Sequence, residues 1–160
     1  MNPELTNDEP GTASEGSIWP SAAASVVALI GLCDSIYLTI HHYTAEPVPC
    51  SLIAGCEQVL TSSYAQVAGL PLAAFGAAAY MLAFSLALLT AFGTRSMWKL
   101  FGVQVTLMAV FSVWLIYVQA MLIGAFCQFC LISAISTFTL FILFVLSIVL
   151  DARRTARQPG

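Results

Sequence analysis

An all-α, integral membrane four-helix bundle is the fold this chain predicts, and three observations predict it. Of its 160 residues, 59% are hydrophobic and 8% are charged, with a mean hydropathy of +0.90. That composition is far too apolar for a soluble globule of this length. Four apolar stretches each reach the roughly 20 residues that a helix needs to cross a hydrocarbon core. Backbone in lipid must satisfy its own hydrogen bonds, so each stretch reads as a helix. The net charge of −3, without a basic stripe or a glycine-rich phosphate loop, argues against nucleic acid as a partner.

Residues 1–17 are rich in Pro, Gly, Ser, Thr and Glu and hold no Lys or Arg. They are expected to be a disordered cytoplasmic N-terminus and a poor signal peptide. The four-span domain covers 18–150, with spans at about 18–43, 70–92, 97–123 and 126–150. Trp19-Pro20 supplies an interfacial anchor and a helix start, and Pro47 and Pro49 keep the first helix from continuing. In the loop that follows, Val59, Leu60, Tyr64 and Val67 recur at helical spacing beside Glu57, Gln58, Ser62 and Ser63. This predicts a short amphipathic helix over Cys56–Ala68, lying at the membrane surface. Gly69-Leu70-Pro71 turns the chain into the second span, where Gly76, Ala77, Ala78 and Ala79 let neighbouring backbones approach closely. Gln104 and Gln119 in the third span read as helix–helix glue. A basic cytoplasmic tail, 151–160, ends the chain.

Every Lys and Arg lies in the short second loop (Arg95, Lys99) or in the tail (Arg153, Arg154, Arg157). The positive-inside rule makes that side cytoplasmic. The loop 41–69 has no Lys or Arg, and the turn around Gly124 has no charge. Both then face the periplasm, or the lumen in a eukaryote. Cys50 and Cys56 sit in that outer loop, and Cys127 and Cys130 begin the fourth helix at the same side, in the compartment where disulfides form. Cys33, inside the first span, is expected to be an inert buried small hydrophobe.

A Cys-x-x-Cys at a helix start places two thiols on one face, the first of them where unpaired N–H groups and the helix dipole favour a thiolate. Two such pairs at one membrane face suggest an electron relay by thiol–disulfide exchange. The loop pair would meet a soluble partner and the helix pair a hydrophobic acceptor. Two static structural disulfides would also explain the pairs. A four-cysteine zinc site fits the spacing but not the compartment, and no haem or other metal is expected. Asp34 is the one carboxylate inside a span, which makes it a candidate for proton handling or for helix–helix bonding.

Several motifs carry a resemblance. They are Ser35-Ile36-Tyr37-Leu38-Thr39, the pair Cys50 and Cys56, Val59-Leu60-Thr61-Ser62-Ser63-Tyr64, Gly69-Leu70-Pro71, Phe75-Gly76 and the final Cys-x-x-Cys. From the first span to the fourth the chain resembles bacterial-type homologues of the vitamin K epoxide reductase family. The resemblance implies a membrane enzyme that oxidises a thioredoxin-like (DsbA-like) protein and reduces a quinone of the ubiquinone, menaquinone or vitamin K type. It implies that Cys50 meets the partner, Cys56 shuttles to Cys127 and Cys130 stands beside the quinone. Ser62 and Phe75 fall at quinone-binding positions. No fused thioredoxin-like domain follows the fourth span, so a separate partner is expected, and the membrane is expected to be a bacterial inner membrane. Leu72 and Ala134 stand where animal members carry asparagine and tyrosine, a departure that speaks against epoxide reduction. A DsbB-type disulfide oxidase places its quinone-proximal pair first in sequence, the reverse of the order here. A non-catalytic tetraspan subunit held by structural disulfides is the alternative outside enzymes.

Overall fold

The computed structural model describes residues 18–44, 48–50, 55–94 and 96–157. The expectations for 1–17 lie outside these residues, as does the very end of the tail. Among the described residues five α-helices follow one another: α1 (Trp19–Thr44), α2 (Cys56–Leu60), α3 (Leu72–Ala91), α4 (Ser96–Tyr117) and α5 (Gln128–Ala156). A π-helical turn, Val118–Ile123, prolongs α4. α1, α3, α4 with its π turn, and α5 are each long and apolar enough to cross a membrane. The all-α membrane bundle is therefore the observed architecture.

Small residues set how closely these helices pack. Ala24, Ala28 and Leu32 of α1 meet Tyr80, Ala83 and Ala87 of α3 in a core completed by Phe101, Val105 and Leu140. α1 packs most extensively on α3, and α5 closes the bundle against α1 and α4. Gly31 lies flat beneath the Tyr80 ring, leaving no room for a Cβ. A Cβ on Gly76 would stand 3.1 Å from Ser35 Oγ. Packing of this kind replaces the hydrophobic drive that lipid removes. Hydroxyls within the spans donate to carbonyls of the preceding turn, as Ser25 does to Ser21 and Thr106 to Gly102, so few polar atoms are left to the lipid.

Two expectations, on the surface helix and on Cys33, are corrected. The surface helix stops at Leu60, because Thr61 Oγ1 and Ser62 Oγ bond back to the carbonyls of Glu57 (2.6 Å) and Val59 (2.7 Å). A 3-10 turn, Ser63–Ala65, and a hairpin of β1 (Gln66–Val67) and β2 (Leu70–Pro71) follow. Ala68 and Gly69 take φ of 52° and 80° at its two-residue tip, the backbone a tight hairpin needs. The helix of the fourth span runs on into the basic tail as far as Ala156, with Arg153 and Arg154 in its last turn, where positive charge suits the helix C-terminus. Cys33 is exposed on the outer face of α1 rather than buried. With lipid as solvent, an apolar side chain needs no protein cover.

Candidate functional site

The outer loop and the start of α5 meet at one end of the bundle. Cys56 is the first residue of α2 and is 2% exposed, and Cys127 is fully buried. Together with Val59 and Ala125 they form a cluster against which Cys50, Leu60, Ile123, Phe129 and Cys130 pack. All four paired cysteines therefore share one apolar nest. Cys50 and Cys56 are joined by a disulfide, with Cα atoms 6.3 Å apart, whereas Cys127 and Cys130 are free thiols. The outer pair is oxidised and the inner pair reduced.

The join rests on a residue without a side chain. Gly55, buried and next to Cys56, lies against the backbone of Phe126 and the methyl of Ala125. On the other side, Phe129, between the two inner cysteines, packs its ring 5.3 Å from that of Tyr37 on α1. Cys127 caps α5 in an extended conformation (φ −103°, ψ 122°). Its carbonyl accepts the N–H of Leu131 at 3.0 Å, and its own N–H donates to Gln119 Oε1 at 3.0 Å. Cys127 precedes the α5 span, and its thiol is lowered to about 7. The hydrogen bond from the Cys130 thiol contributes most, burial opposes it, and the N–H groups of Cys130 and Phe129 assist. A thiol with a lowered pKa is the better leaving group in thiol–disulfide exchange.

Beneath the cysteines lies a mainly apolar cavity of about 500 Å³, whose wall includes Asp34, Ser62, Phe75 and Cys130. These four come from α1, the outer loop, α3 and α5. Of the residues singled out from sequence, Cys50, Cys56 and Cys127 stand above the cavity and the other four line it. Leu72 and Ala134 also line it, so the wall is apolar at both places. Asp34 Oδ2 is buried with no hydrogen-bond partner among the described residues. Ser62 spends its one proton on Val59 O and can only accept further bonds.

Sequence reasoning missed three contributors. Tyr80, 1% exposed, lines the cavity. It donates to Ser133 O (2.6 Å) and lies 3.0 Å from Ser133 Oγ and 2.7 Å from Thr137 Oγ1 on α5. A lone phenol amid the alanines of the second span was the available signal. Gln119 was visible as a polar residue in a span, but its contact with Cys127 was not. Gly55 gave no signal, because its role depends on a neighbour distant in sequence. Among the described residues no group of three His, Cys, Asp or Glu could hold a metal ion.

Comparison with known proteins adds one finding. The model described as the vitamin K epoxide reductase family matches residues 22–145, most of the chain. No curated protein matches it.

Proposed function

Because the chain belongs to the vitamin K epoxide reductase family, we propose that it is a membrane thiol:quinone oxidoreductase that makes disulfides. It oxidises a separate thioredoxin-like protein through Cys50 and Cys56 and passes the electrons by way of Cys127 and Cys130 to a quinone. One observation carries this reading: an oxidised pair and a reduced pair share a buried nest, and Cys130 opens onto an apolar cavity.

The exchange balances as follows. A partner thiolate attacks the Cys50–Cys56 bond, and the partner's second thiol resolves the mixed disulfide. The partner leaves oxidised, and Cys50 and Cys56 become thiols. Cys56 thiolate then attacks Cys127 of an oxidised inner pair, expelling Cys130 thiolate. Cys50 resolves the Cys56–Cys127 bond, which restores the outer disulfide and leaves the inner pair reduced.

A quinone supplies the final two-electron sink at a potential above that of protein disulfides, each ~30 mV adding about 1.4 kcal/mol of drive. The cavity suits such a molecule, being mostly apolar with a few polar groups on its wall. Phe75 offers a ring face, and Ser62 lies on the same wall. Asp34 is assigned to proton transfer, because a buried carboxylate oxygen without a partner is costly unless it serves a reaction. The charge pattern supports both termini being cytoplasmic and the cysteines lying at the opposite face, and the resemblance to bacterial-type homologues makes that face the periplasmic side of an inner membrane.

The test is quinol formation by the detergent-purified protein, supplied with a reduced thioredoxin-like protein and a short-tail quinone. Each of Cys50→Ala, Cys56→Ala, Cys127→Ala and Cys130→Ala should abolish it. Sustained turnover by Cys130→Ala would overturn the electron path.

A further inference from the structure

Gln119 is buried, 4% exposed, in the π-helical turn at the end of α4. Its oxygen is committed, because the Cys127 N–H can only donate and so requires an acceptor at 3.0 Å. That fixes which end of the amide is nitrogen. The NH2 group therefore faces away from Cys127. Gln119 also lines the cavity that Cys130 enters.

Two of the polar groups on the cavity wall have no proton to offer a ligand. Ser62 has given its proton to Val59 O and Tyr80 has given its own to Ser133 O. A quinone carbonyl accepts hydrogen bonds and donates none, so it needs a wall group with a proton to spare. The sequence accounts for the placement. The wide π turn reaches Ile123, and Gly124 at φ 68° then reverses the chain so that Cys127 returns onto Gln119.

Resting on the reading that the acceptor is a quinone, we infer that the Gln119 side-chain NH2 group donates a hydrogen bond to a carbonyl of the bound quinone. The same amide's oxygen holds the backbone N–H of Cys127. One side chain thus joins the electron acceptor to the dithiol that reduces it, and sets the carbonyl's position relative to the inner cysteine pair.

The experiment uses the full chain in detergent with two probes, a short-tail 1,4-benzoquinone and a short-tail 1,4-naphthoquinone, each 13C-labelled at the carbonyls. Isotope-edited infrared difference spectra report the carbonyl stretch, and equilibrium titration gives Kd. In the wild type one carbonyl band should be downshifted by the amide. In Gln119→Met that downshift should vanish and Kd should rise about tenfold, the worth of one hydrogen bond in an apolar site. Should Gln119→Met fail to fold, Gln119→Asn replaces it, polar but one methylene too short to reach both partners, with the same losses expected. An unchanged band and Kd in the variant would overturn the assignment. Failure of the wild type to bind either quinone would sink the acceptor reading itself, and this assignment with it.

Discussion

Gly55 lies directly on the backbone of Phe126. A Cβ added at Gly55 would stand 2.6 Å from the Phe126 carbonyl oxygen and 3.0 Å from its amide nitrogen. Backbone cannot retreat as a flexible side chain can, so only glycine fits before Cys56 without a shift. This contact brings the loop pair to the pair on α5.

Gly55→Ala should therefore separate the two pairs. We expect electron transfer from Cys56 to Cys127 to slow at least about tenfold, as misplacement of reacting groups by a fraction of an ångström predicts. Quinol formation driven by a small dithiol that reduces the inner pair directly should continue. Stopped-flow kinetics with a protein donor and with a small dithiol would compare the two, and equal slowing of both would contradict the positioning role.

The exchange intermediate should be trappable. Cys50→Ser removes the thiol that resolves the mixed disulfide, so a Cys56–Cys127 bond should accumulate. Cys56→Ser should trap none. Non-reducing peptide mapping by mass spectrometry distinguishes the two.

Cys127 should be the most reactive of the inner thiols. Its thiol is lowered to about 7, chiefly by the hydrogen bond from Cys130. Raising the pH through that value converts it to the thiolate, so its alkylation rate should climb to half-maximum near pH 7. Cys130→Ala removes the main cause and should move the midpoint upward. A midpoint unchanged in that variant would show that something else stabilises the thiolate.

Asp34→Asn should spare thiol exchange at the outer pair while lowering quinol formation about a hundredfold, within the usual range for a lost proton-transfer group. The two half-reactions can be followed separately, by outer-pair thiol exchange with the partner and by quinol absorbance.

Tyr80→Phe tests the bundle rather than the chemistry. It deletes a hydroxyl that donates to Ser133 O and contacts Ser133 Oγ and Thr137 Oγ1. It should lower stability by about 1–3 kcal/mol, read as a fall in Tm in detergent, and should leave outer-pair exchange intact.

The spans were legible because hydrocarbon thickness fixes a length and lipid forbids unbonded backbone, two constraints a hydropathy profile meets directly. Counting spans then put the four cysteines at one end. Facing was much harder to read. Both sides of a membrane helix are apolar, so Cys33 offers no periodicity to reveal that it looks outward. The hairpin Gln66–Pro71 escaped because Val59, Leu60, Tyr64 and Val67 fit helical spacing, while the break depends on Thr61 and Ser62 turning their hydroxyls onto carbonyls. Gly55 and Gln119 act through residues brought near only by the packed bundle.

The five-residue α2 begins with the sulfur of the outer disulfide, and one turn later Val59 and Leu60 form part of the cavity wall. A segment so short moves as a unit. Any displacement of the Cys56 sulfur would therefore be carried straight to the chamber wall, because Val59 and Leu60 ride on the same short element.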